Sequence, residues 1–186
     1  MNRSTGTFFG VQIAFSAARD AALRHQLAAA VAGLRQGTDP TRFGPGLRAA
    51  SAILAGANAL IRRGDWDFVQ NRGQEVYREW QEGLESMAGW PADDFGTDGD
   101  LILATLILLV RPGSAAETAL GDGCDLPEDD WFLRRTFAKL LLLPTDCTAG
   151  DVAGAGLFVA PHPGRGSFST DALADEGFDY LRVVTG

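Results

Sequence analysis

Lysine is almost missing from this chain: Lys139 stands alone against fifteen arginines. That bias, with the high alanine and glycine content, reflects genome composition before it reflects function. Histidine is also scarce. His25 and His162 form no HxxxH pair and no HExxH helix, which argues against a histidine-based metal site. The two cysteines, Cys124 and Cys147, match no CxxC or zinc spacing and make no disulfide framework. A GxSxG nucleophile elbow is absent. "GAGLFV" (154–159) lacks the third glycine of a dinucleotide fingerprint, and its glycines precede the strand instead of following it. The apolar run "LILATLILLV" (101–110) is about half the roughly 20 residues a bilayer crossing needs, so no membrane partner is expected.

What remains has the composition of one globular domain spanning residues 1–186, large enough to bury a core without metal or disulfides. Charge is unevenly spread. Residues 1–63 carry eight arginines against Asp20 and Asp39, a balance of +6. Residues 64–186 carry eight basic and twenty-two acidic residues, a balance of −14, which together give the net −8. The expected arrangement packs the basic helices of residues 16–63 against an acidic helix over 65–88, so that the two fields partly cancel.

Hydrophobic periodicity predicts a mainly α (α+β) fold. The expected architecture is a bundle of about five to six helices with a small sheet built from the N- and C-terminal strands. In "FFGVQIAFSAA", Phe9, Val11, Ile13 and Phe15 alternate as in a strand. The same stretch resembles a short signal peptide, but Gln12 interrupts it. Ser16 is placed as the cap of a first helix reaching Arg35. A second helix is expected from Gly46 to Arg63, ended by Gly64. A third is expected to start at once at Asp65, with Trp66, Val69, Val76, Tyr77, Trp80, Leu84 and Met87 as its seam and α-hairpin packing against the second. Residues 101–110, apolar on every side, read as a buried central helix, with a central strand as the runner-up. Ser114 and Glu117 form a capping-box pattern, and Pro127 opens a helix closed by Pro144. "DVAGAGLFVA" (151–160) is glycine-rich and then strand-like, Ser169 or Thr170 is placed as the cap of a short helix ending at Gly177, and a final strand over 178–184 completes the prediction.

Chemical signals are few. "APHPGRGSF" (160–168) brings His162, Arg165 and Ser167 into a glycine-rich turn, where converging N–H groups and a guanidinium suit a phosphate or carboxylate. The spacing is not that of a phosphate loop, and proline and glycine are ordinary turn residues. His162 and Arg165 are accordingly not expected to be catalytic. Asp93, Asp94, Asp98 and Asp100 fail the calcium-loop pattern, since counting from Asp94 puts Gly96 at position three and Thr105 at position twelve, where a bidentate glutamate belongs. The arginines of residues 19–63 are interleaved with a single aromatic, Phe43, so nucleic-acid binding is not expected. Glu75, Glu79, Glu82 and Glu85 recur at helical spacing and offer a negative face to a basic partner.

The sequence therefore points to a cytoplasmic, non-catalytic protein of the inhibitor, chaperone or adaptor type. It would bind another macromolecule, most simply a protein, through the acidic helical surface, with no cofactor and no metal. Self-association is compatible with this reading. The alternative is a small enzyme or an anion- or ligand-binding protein built on the His162–Arg165 loop.

Overall fold

The computed structural model describes residues 6–17, 19–35, 40–88, 99–161, 166–174 and 177–186. Among them the chain forms an α+β fold in three layers, not a helical bundle. The strands are β1 (Thr7–Ser16), β2 (Ile61–Val69), β3 (Leu101–Val110), β4 (Val152–Ala160) and β5 (Arg182–Val183). The helices are α1 (Ala21–Arg35), α2 (Pro40–Gly56), α3 (Gly73–Ala88), α4 (Ala115–Cys124) and α5 (Arg134–Leu142). One antiparallel sheet runs in the order β4-β3-β1-β2-β5.

The sheet's two faces follow directly from the period-2 alternation of β1. Phe9, Val11, Ile13 and Phe15 point to one face, where Ile102, Ala104, Leu106 and Leu108 of β3 stand beside them in register. This face carries the main core, with Leu27 and Leu34 of α1, Leu47 and Leu54 of α2, Leu120 of α4, and Phe137, Leu140 and Leu141 of α5. Phe8, Gly10, Gln12 and Ala14 point to the other face. There α3 packs Val76 and Leu84 against Phe8 and Ile107, and residues 168–181 pack Phe168, Leu173, Phe178 and Leu181 against Ala14, Leu101 and Leu103.

This double cover explains the largest correction. A strand buried on both faces reads as an unbroken apolar run, so "LILATLILLV" has no period to separate helix from strand. It is β3, nine of its ten residues fully buried. The second error lies at residues 61–69, where Gly64 and Asp65 had the look of a helix stop and a helix start. The segment "GDWDF" in fact alternates as the β2 strand, and the expected α-hairpin does not exist. The helix expected from Pro127 to Pro144 is broken into a 3-10 turn at Glu128–Asp130, α5, and a second 3-10 turn at Leu143–Asp146. The final strand shrinks to two residues.

The charge arrangement is corrected as well. α1 and α2 lie on one face of the sheet and α3 on the other, so the basic helices and the acidic helix α3 are separated by the sheet rather than packed together, while α4 and α5 share the face of α1 and α2. Arg62 and Arg63 belong to β2, not to a helix end.

Ser16 ends β1 and caps no helix, whereas the Ser114 cap is present. The Ser114 hydroxyl accepts from the Glu117 N–H at 3.1 Å, while the Glu117 carboxylate accepts from Gly113 N–H and from the hydroxyl of Thr7, tying the α4 cap to the start of β1. Both cysteines are free thiols, Cys147 buried and Cys124 half-buried. No helix among the described residues is long and apolar enough to cross a membrane.

Candidate functional site: an acidic, aromatic cavity beside α3

The second face of the sheet carries a polar row across three strands. Strand register sets Thr105 of β3, Gln12 of β1 and Asp65 of β2 side by side across three neighbouring strands. Gln12 and Thr105 are buried. A buried amide must be hydrogen-bonded to avoid a desolvation penalty. Gln12 meets that demand in both directions: its Nε2 donates to Thr105 Oγ1 at 2.8 Å, and its Oε1 accepts from Tyr180 Oη at 2.7 Å. Tyr180 thus anchors the C-terminal segment to the central strand.

A cavity of about 620 Å³ opens beside this row, between α3 and the segment around Gly177–Tyr180. Trp80, Leu84, Met87 and Phe178 supply apolar wall. Gln12 and Tyr180 contribute the hydrogen-bonded pair, and Asp65, Asp67 and Glu79 contribute carboxylates. Room for the Trp80 ring comes from Gly10: a Cβ there would lie 2.6 Å from the Phe8 ring and 3.3 Å from the Trp80 ring. The Phe8 and Trp80 rings stack at a tilt over this gap, with centroids 5.3 Å apart.

The carboxylates are not equivalent to surface acids. Burial pushes Asp65 up from 3.8 to about 6; the Trp66 N–H opposes the rise, the like charge of Asp67 adds to it, and Arg182 opposes it least. Burial also raises Asp67, against the Phe68 N–H. Neither aspartate takes part in an ion pair among the described residues. Burial likewise pushes the Tyr180 phenol up to about 12, so it remains a hydrogen-bond donor at neutral pH.

The sequence-predicted residues are scattered with respect to this cavity. Of the four glutamates on α3, Glu79 lines it. Glu75, Glu82 and Glu85 are exposed on the same helix. Glu75 receives both Arg72 Nε and a terminal Arg72 nitrogen at 2.8 Å, and Glu85 accepts from Gln81 Nε2 at 2.8 Å. Ser167 is buried, and its hydroxyl donates to the Gly99 carbonyl at 2.8 Å, next to the bridge between Leu101 and Phe168. His162 and Arg165 lie outside the described residues, as do Asp93, Asp94 and Asp98. No group of three or more potential metal-ligating side chains occurs among the described residues.

Sequence reasoning missed Asp65, Asp67, Gln12 and Tyr180. The usable signal was Gln12, a polar residue in the middle of "FFGVQIAF"; a polar side chain on a buried strand requires partners and therefore marks a site. Trp66 and Trp131 pack together beside the core. Trp66 is half-buried and donates through Nε1 to the Trp131 carbonyl at 3.1 Å, while Trp131 is 38% exposed.

Comparisons of the chain with protein-family models, curated proteins and solved structures find no match.

Proposed function

We propose that this chain is a non-catalytic binding protein for a basic protein partner, of the inhibitor or adaptor type, engaging it along α3. The observation that supports this reading is the position of Glu79. It belongs both to the exposed acidic stripe of α3 and to the lining of the cavity that holds Asp65 and Asp67. The negative charge of the surface is therefore continuous with that of the cavity. Complementary charge steers a partner to such a face and fixes its register. A partly buried pair of carboxylates without a salt-bridge partner gains most from a cation brought in by another molecule.

Titration calorimetry with an arginine-rich peptide and a glutamate-rich control tests the reading. The expected result is saturable 1:1 binding of the basic peptide, weakened by salt. Reversing Glu75, Glu79 and Glu82 to lysine should lower the affinity at least tenfold. Equal affinity after reversal, or no saturable binding, overturns it.

A further inference from the structure

We propose that the cavity between α3 and the Gly177–Tyr180 segment is a socket for one guanidinium or alkylammonium group on an apolar stem, delivered as an arginine or lysine side chain of the partner. This deepens the preceding reading and rests on it for the source of the cation. The cavity volume, about 620 Å³, lies within the range that encloses a whole small organic group, so the side chain and a neighbouring residue both fit.

The chemistry of the walls selects the occupant. An anion would meet Asp65, Asp67 and Glu79 together. A neutral apolar group would bury the two aspartates further and leave them unpaired, which is costly. A bare metal ion or a small hydrated cation would leave the Trp80, Leu84, Met87 and Phe178 surface wet. An alkyl stem with a cationic head satisfies both halves. Its methylenes lie along Leu84 and Met87, its head reaches Asp65 and Asp67, and aromatic faces favour a cation over a neutral group. The Thr105–Gln12–Tyr180 chain holds the floor in place without spending its acceptors on the ligand.

Charge around Asp65 comes from Asp67 on its own strand, Glu79 from α3, and Tyr180, Asp179 and Arg182 from the C-terminal segment. Protonating Asp65 near pH 6 removes an attracting charge, so affinity falls as the pH is lowered through that value.

The test compares a short acetylated peptide carrying one arginine between two leucines with the same peptide carrying citrulline, followed by intrinsic tryptophan fluorescence. Citrulline keeps the shape and removes the charge. The arginine peptide is expected to bind at least tenfold more tightly than the citrulline peptide. Its affinity should drop at least tenfold in a D65N/D67N variant, and little in an E75Q/E82Q variant. Both variants remove charge from positions that do not hold the core, and an unfolding midpoint no lower than that of wild type confirms their folds. Equal binding of the arginine and citrulline peptides overturns the socket. Basic-peptide binding that survives D65N/D67N but is lost on reversing Glu75, Glu79 and Glu82 also overturns the socket and leaves the acidic-face reading standing. Absence of any basic-peptide binding overturns both. Binding of free N-acetylarginine methylamide as tightly as the peptide overturns the partner as source and assigns the cavity to a small organic cation.

Discussion

Tyr180 and Gln12, 168 positions apart in sequence, share a 2.7 Å hydrogen bond that joins the C-terminal segment to the central strand of the sheet. Removing the hydroxyl with Tyr180→Phe leaves the buried Oε1 of Gln12 without that partner. The expected cost is about 1–3 kcal/mol of folding stability. Urea unfolding monitored by circular dichroism measures it; a midpoint equal to wild type would show that water replaces the phenol at no cost.

The two cavity aspartates predict a pH dependence with a definite sign. Asp65 has a folded-state value of about 6 against 3.8 for the free side chain, so the folded protein holds this proton more tightly than the unfolded chain does. Its contribution to stability is therefore fully present below 3.8 and is lost as the pH rises through about 6. Asp67 shifts in the same direction. Asp65→Asn should flatten the stability profile over that window and add on the order of 1 kcal/mol at pH 7.5, the full equivalent of the shift being reduced by partial solvent exposure. A steeper profile in the variant would contradict the assignment.

Gly10 is required by the aromatic pair above it. In Gly10→Ala the new methyl carbon meets the Phe8 ring at 2.6 Å, closer than real contacts allow. Repacking Phe8 against Trp80 should cost about 1–3 kcal/mol and shift the tryptophan emission. An unchanged thermal midpoint and spectrum would show that Phe8 moves freely.

Ser51 on α2 is fully buried and its hydroxyl has no hydrogen-bond partner among the described residues. Ser51→Ala removes an unsatisfied polar group from the core and improves helix propensity. A gain of about 1 kcal/mol in denaturant unfolding is expected, and a loss would reveal a partner for the hydroxyl.

Burial pushes the thiol of Cys124 up to about 12 and that of Cys147 up to about 11. Both should react with a disulfide reagent far more slowly than free cysteine in the native protein at pH 8, because the thiolate fraction is small. Two thiols should appear at once in concentrated denaturant. Fast native labelling of Cys147 would mean that the α2–α5 layer opens.

The parts of the fold legible in the sequence were those with a periodic signal, which β1 keeps although both its faces are buried, because large apolar residues alternate there with Gly10, Gln12 and Ala14. β1 alternates, α3 has a polar and an apolar side, and Ser114 caps α4 as its spacing with Glu117 indicates. β3 was not legible, because burial on both faces erases the alternation. β2 was obscured by residues whose local preferences favour helix ends. Gly64 is there because the Phe137 ring occupies the space a Cβ would need, at 2.5 Å, and its neighbours Asp65 and Asp67 face the cavity. The site itself is assembled from β1, β2, α3 and the last ten residues. Only tertiary register brings those together, so Glu79 was recognisable as an acidic helix residue but not as the wall of a cavity.

The central position of β1 has a consequence for the order in which the chain is made. β1 is synthesised before either neighbour, yet its partners are Ile61–Val69 and Leu101–Val110. At roughly 5–20 residues per second, about 5–20 s pass between completion of Ser16 and completion of β3. "TFFGVQIAFS", apolar on nearly every side, travels with the growing polypeptide with both edges unpaired until β2 is made and with one edge unpaired until β3 is made. A ribosome-bound chaperone that recognises short extended apolar segments has a target here. Arresting translation before residue 101 should leave β1 open to protease, and arresting it after residue 110 has left the exit tunnel should protect it.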